Sequence, residues 1–110
     1  MGETPLTLAE LTEAMHAFVR AKGWYAPDSP RPQTLRNLAI SLTLETGEVL
    51  EHFQWRDTPP GELDDKTRAE VGSELADVAL YLLQIASVAG IDLEQAILDK
   101  LKVNYGRTWE

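Results

Sequence analysis

Cysteine is absent from the chain. Disulfides and thiolate-held zinc are therefore excluded as supports for the fold. Histidine is scarce, with His16 and His52 the only two, too few for an ordinary zinc centre. A di-iron carboxylate bundle needs Glu-x-x-His on two helices, and only Glu13…His16 has that spacing. No Gly-rich loop of the phosphate-cradling kind occurs. Nor does any basic cluster, and the formal charge is −8. A surface that acidic repels a nucleic-acid backbone, so no nucleic-acid polymer is expected as partner. Met1-Gly2-Glu3-Thr4-Pro5 lacks a basic stretch followed by an apolar one, so no signal peptide is expected. The longest apolar run, Leu75 to Gly90, is too short for a membrane span and is broken by Asp77, Gln84 and Ser87. These absences point to a cytoplasmic protein with no membrane partner.

A chain of 110 residues is expected to form one domain over residues 1–110. Four helices can be read. Thr7 and Glu10 make a capping box, followed by Leu8, Leu11, Met15 and Phe18 at helical spacing, with a stop near Gly23. Three prolines between Trp24 and Pro32 then exclude regular helix. A second helix is expected from Thr34 to Trp55. Leu38, Leu42, Val49 and Phe53 form one stripe, and Ser41, Glu45, Glu48, His52 and Trp55 another. After a turn at Pro59-Pro60-Gly61, a third helix is expected from Asp65 to Ala89, apolar on nearly every side beyond Leu75. Gly90 stops it. Asp92 and Gln95 suggest a second capping box for a fourth helix reaching Tyr105. Short turns between four helices predict an all-α, antiparallel four-helix bundle.

The chemistry lies in two acidic pairs. Glu45 and Glu48 stand three residues apart, hence on one helix face. Glu74 and Asp77 repeat the arrangement on the next helix. A helical hairpin that joins those faces gathers four carboxylates, which repel one another unless their pKa values rise or a cation binds. Mg²⁺, with Mn²⁺ as an alternative, suits an all-oxygen donor set. The bland alternative is two solvated acidic faces, common on helices. Against it, Glu74 and Asp77 enter the most apolar helix of the chain.

Glu45-Thr46-Gly47-Glu48, Glu51-His52-Phe53-Gln54-Trp55 and Glu74-Leu75-Ala76-Asp77-Val78 with Tyr81-Leu82 together carry a resemblance. So does the tail Gly90-Ile91-Asp92-Leu93 with Lys100, Asn104 and Arg107. The pattern resembles the MazG-like nucleotide pyrophosphohydrolases, nearest their dCTP pyrophosphatase branch, over Leu6 to Arg107. The resemblance implies Mg²⁺-dependent hydrolysis of a nucleoside triphosphate to monophosphate and pyrophosphate, in nucleotide-pool sanitation. It also implies a homo-oligomer, with a tetramer expected first and a dimer second. Glu45, Glu48, Glu74 and Asp77 are then metal ligands, and one of them positions the attacking water. Lys100, Asn104 and Arg107 match positions that contact phosphates, and Trp55 and Trp24 match aromatics of a base pocket. Asn37, His52 and the Tyr25–Gln33 loop are the polar groups expected to discriminate between bases. The unusual loop leaves the base open, with dCTP or a modified pyrimidine nucleotide as first expectation. The alternative class is a non-catalytic helical oligomerisation or nucleotide-sensing module.

Overall fold

The computed structural model describes residues 5–108. Most of the N-terminal pentapeptide, Met1–Thr4, and the last two residues of the tail, Trp109 and Glu110, lie outside them. Four α-helices follow in order: α1 (Leu8–Ala21), α2 (Leu35–Glu51), α3 (Asp65–Val88) and α4 (Leu93–Gly106). One 3₁₀ turn, Pro60–Glu62, precedes α3, and no strand occurs among the described residues.

Local chemistry accounts for the ends. Thr7 caps α1 with both halves of the box: Glu10 N–H donates to Thr7 Oγ1 and Thr7 N–H to Glu10 Oε1. Gly23 and Gly90 take positive φ, 75° and 71°, where the chain leaves α1 and α3. At α4 only half of the expected box forms. Asp92 accepts from Gln95 N–H, but the Gln95 side chain turns forward to Asp99 at 2.8 Å. Helix α2 ends at Glu51, four residues short of Trp55. There the N–H groups of His52, Phe53 and Gln54 bond three residues back rather than four. The apolar pattern continues through Phe53 while the backbone tightens into turns.

Helices α2 and α3 run antiparallel, since Leu38 near the start of α2 faces the same cavity as Leu80 and Gln84 late in α3. Helix α1 packs on α3, and its Met15 and Val19 form the buried apolar core with Leu38, Leu83 and Ala86. The expectation that α3 is covered on most sides is met only in part. Leu75, Leu80, Leu82 and Val88 remain between 42% and 52% exposed. Helix α4 buries none of its residues and touches the bundle mainly at α3. The radius of gyration, 16.8 Å, exceeds the ~13 Å of a compact domain of this size. By length and mean hydropathy alone α3 passes for a membrane span, yet Glu74 and Asp77 lie in its apolar part, facing the acids of α2.

Candidate functional site

The hairpin of α2 and α3 brings the acidic pairs together. One carboxylate oxygen each from Glu45, Glu48 and Glu74 lies within 4.8 Å of the others. Such closeness is costly for three anions, and two of the carboxyls are held above their ordinary pKa. Burial first, then hydrogen bonding and repulsion from Glu48, push the Glu45 carboxyl up to about 7. The charges of Asp77 and Glu74 act in the same direction. Glu74 is also raised, chiefly by its hydrogen bond with Glu48, against the opposing pull of His52. Two oxygens, Glu45 Oε2 and Glu74 Oε2, are buried without any hydrogen-bond partner. Buried orphan acceptors in an acidic cluster are what a hard cation satisfies. The donor set therefore fits Mg²⁺ or Mn²⁺. Asp77 stands apart from the trio, exposed, on the wall of the adjoining cavity.

That cavity, about 490 Å³, runs from Glu45 and Asp77 at one end to Gln33 and Gln84 at the other, with Trp24 also on its wall. The volume suits a small organic ligand. On α3, Asp77 and Gln84 are seven residues apart, so roughly 10 Å along the axis and on nearly the same face. Trp24 is held edge-on by Phe18, with ring centroids 5.7 Å apart, and the Arg31 guanidinium lies 5.2 Å over its ring. Asn37 also lines the wall, its amide donating to Pro32 C=O at 2.9 Å. Of the expected site residues, the cavity thus gathers Glu45, Asp77, Trp24 and Asn37.

Others lie elsewhere in the single chain. Trp55 is 87% exposed, beyond the end of α2 and off the cavity wall. His52 approaches Glu70 at 3.9 Å and Glu74 at 4.0 Å, behind the carboxylates, and lines a second, smaller hollow. Lys100, Asn104 and Arg107 sit on and just past α4, away from the cavity. The Tyr25–Gln33 loop, expected among the discriminating groups, does reach the cavity: Gln33 lines it, and Tyr25 and Gln33 both bond Gln84. Sequence reasoning missed the partners that complete this polar chain, Gln84, His16 and Ser87. Its available signal was Gln84, an amide within the most apolar helix, and 97% buried as the structure places it.

Fold and site together define an all-α protein with an acidic oxygen-donor cluster between two antiparallel helices, beside a cavity. Comparison with known proteins gives the particular family. The MazG-like family profile matches residues 40–108. Mouse (Mus musculus) dCTP pyrophosphatase 1 is 36% identical over 104 residues, covering 92% of this chain. The human (Homo sapiens) protein of that name is 34% identical over the same length. The chain spans 58% of the length of these two relatives. A dATP/dGTP diphosphohydrolase of Salmonella phage PMBT28 is 45% identical over 49 residues, 44% of this chain and 17% of the phage protein. Among solved structures, a pyrophosphatase from Archaeoglobus fulgidus superposes with TM-score 0.74 at 31% identity, covering 94% of each chain. The chain belongs to the MazG-like family.

Proposed function

We propose that this protein hydrolyses (deoxy)nucleoside triphosphates to the monophosphate and pyrophosphate, with dCTP or a modified pyrimidine nucleotide as first candidate. The observation that carries the reading is the pair of buried, partnerless oxygens on Glu45 and Glu74 beside a cavity of nucleotide-compatible size. The relatives' names, dCTP pyrophosphatase and dATP/dGTP diphosphohydrolase, support the same chemistry. Glu45, Glu48, Glu74 and Asp77 would hold Mg²⁺, directly or through water, and one of them would orient the attacking water. When bound, the ion polarises phosphate oxygens, offsets charge on the leaving pyrophosphate and acidifies that water. The chain's own task is positioning. Trp24 offers an aromatic wall, and Leu38, Val19 and Met15 exclude water beneath the ligand. Lys100, Asn104, Arg107, His52 and Trp55 match phosphate- and base-contacting positions of the resemblance, and α4 would bring its three only by packing closer than in the lone chain. The product chemistry fits clearance of unwanted nucleotides from a cytoplasmic pool. A panel of canonical and modified nucleoside triphosphates, assayed with and without Mg²⁺, tests this. Monophosphate and pyrophosphate in equal amounts, abolished by EDTA, are expected. Orthophosphate release, or no product from any nucleotide, overturns it.

The uncovered apolar face belongs to the same proposal. Leu75, Leu82, Leu98 and Leu101 are 44–52% exposed on α3 and α4, more apolar surface than a lone bundle tolerates. A second copy of this chain covers it, in a homotetramer or, as second choice, a dimer. Light scattering at micromolar concentration should give a multiple of the chain mass, and a stable monomer contradicts the assembly.

A further inference from the structure

We infer that Gln84 sets base preference in this cavity by presenting a fixed, lone carbonyl oxygen, so that bases with an exocyclic amino group bind better than their oxo counterparts. The inference rests on the reading of the cavity as a nucleotide site.

A backbone carbonyl can only accept, and one sets the orientation of the amides here. Gln33 Nε2 donates to Arg31 C=O at 2.6 Å. Its amide orientation is thereby fixed, and Gln33 Oε1 must face Gln84. Gln84 Nε2 donates to that oxygen at 2.8 Å. The second Gln84 hydrogen goes to Tyr25 Oη at 3.2 Å. A carboxamide has two N–H donors, and both are now used within the protein. Tyr25 Oη also bonds His16 Nδ1 at 2.6 Å, and His16 Nε2 bonds Ser87 Oγ at 2.7 Å, with the donor in each set by the imidazole tautomer. The Arg31 carbonyl thus fixes the orientation of the Gln33 and Gln84 amides.

One group in the chain is left over. Gln84 Oε1 accepts no hydrogen bond within the described residues, and Gln84 lines the cavity while being only 3% exposed. Gln84 Oε1 keeps some access to the cavity rather than being sealed in, and a carbonyl held there that cannot turn favours a ligand that donates to it and repels a ligand acceptor. Gln84 lies roughly 10 Å beyond Asp77 along α3, far enough for the edge of a base when the phosphates sit at the carboxylates. An exocyclic amine, as on cytosine or adenine, supplies the donor. The carbonyl of uracil or hypoxanthine at that place does not. Sites that hydrogen-bond a substrate donor reject analogues lacking it more strongly than apolar pockets reject a change of size.

The test compares dCTP with dUTP and dATP with dITP as substrates under Mg²⁺. In parallel, the α,β-imido analogues of dCTP and dUTP are titrated calorimetrically, which needs no turnover. Wild-type protein should favour the amino member of each pair by at least about tenfold. Gln84→Leu should bring the ratios to within about threefold, mostly by losing the amino substrate. Gln33→Leu keeps Gln84 but frees one of its N–H groups and lets the amide turn, so its ratio should fall between the two. That variant guards against misfolding of Gln84→Leu, which removes a buried group. Equal binding of both analogues to wild-type protein, no binding of either, or an unchanged ratio in both variants overturns the inference. If the analogue ratio behaves as expected while no triphosphate is hydrolysed, the catalytic reading fails and the Gln84 reading stands.

Discussion

The two ends of the cavity are built on opposite principles, although one helix supplies part of each. At one end Glu45, Glu48 and Glu74 crowd like charges, leave two oxygens without partners and raise two pKa values. At the other, Gln84 and its neighbours carry no net charge, and nearly every donor and acceptor is matched. The first end gains most from a guest that neutralises it. The second is matched within the protein except at one acceptor. On the proposed reading, reaction and selection are separated along α3, with Asp77 and Gln84 marking the two stations.

The largest effect expected from breaking this contrast is at the charged end. Glu48→Gln or Asp77→Asn keeps shape and removes an anionic ligand. Steady-state turnover at limiting Mg²⁺ should fall by about 10²-fold or more for every base. Thermal melting should show the fold intact or slightly more stable, because repulsion is relieved. Near-normal turnover of both variants would remove these acids from the site.

A smaller effect is expected from Trp24→Ala. Loss of an aromatic wall should raise KM by the equivalent of about 1–3 kcal/mol. The rise should be similar for amino and oxo bases, since a π-face does not read hydrogen-bonding edges. A change in base ranking instead would show that Trp24 belongs with the selecting end.

The subtlest signature is the pH dependence of stability without metal. Glu45 titrates near 7 in the folded chain against an ordinary 4.5, and Glu74 is shifted in the same direction. The folded state therefore holds extra protons between those values. Stability from this source is full below about 4.5 and is lost as pH rises through about 7. Melting in EDTA should thus be a few degrees higher at pH 5.5 than at pH 8, and Mg²⁺ should narrow the difference. Equal or reversed melting temperatures in EDTA would mean that the carboxylates are well solvated and not strained.

The contrast also explains what could be read from residues alone. Glu-x-x-Glu and Glu-x-x-Asp announce a shared helix face because their spacing is local, and the hairpin needed to join them follows from one turn. The Thr7–Glu10 cap was equally legible. The selecting end draws on α1, the proline loop and late α3, with Gln84 bonding partners 51 and 59 residues away. No local spacing encodes such a set: the Tyr25–Gln33 loop was expected to discriminate, but its partner on α3 left only the trace of a single amide in an apolar helix. Trp55 shows the opposite failure. Side-chain periodicity extended α2 to it, but the backbone had already tightened after Glu51, and periodicity carries no information about that. Helix α4 was foreseen as an element, whereas its lack of cover was not, since apolar spacing tells that a face is buried and not by which chain.

The most direct test measures kcat/KM for dCTP and dUTP on wild-type protein, Glu48→Gln, Gln84→Leu and the double variant. Separation of the two ends predicts that Glu48→Gln lowers both values by one common factor and leaves their ratio unchanged. Gln84→Leu should collapse the ratio, and the double variant should show the product of the two effects. A shifted ratio in Glu48→Gln, or a common loss without any change of ratio in Gln84→Leu, would contradict it.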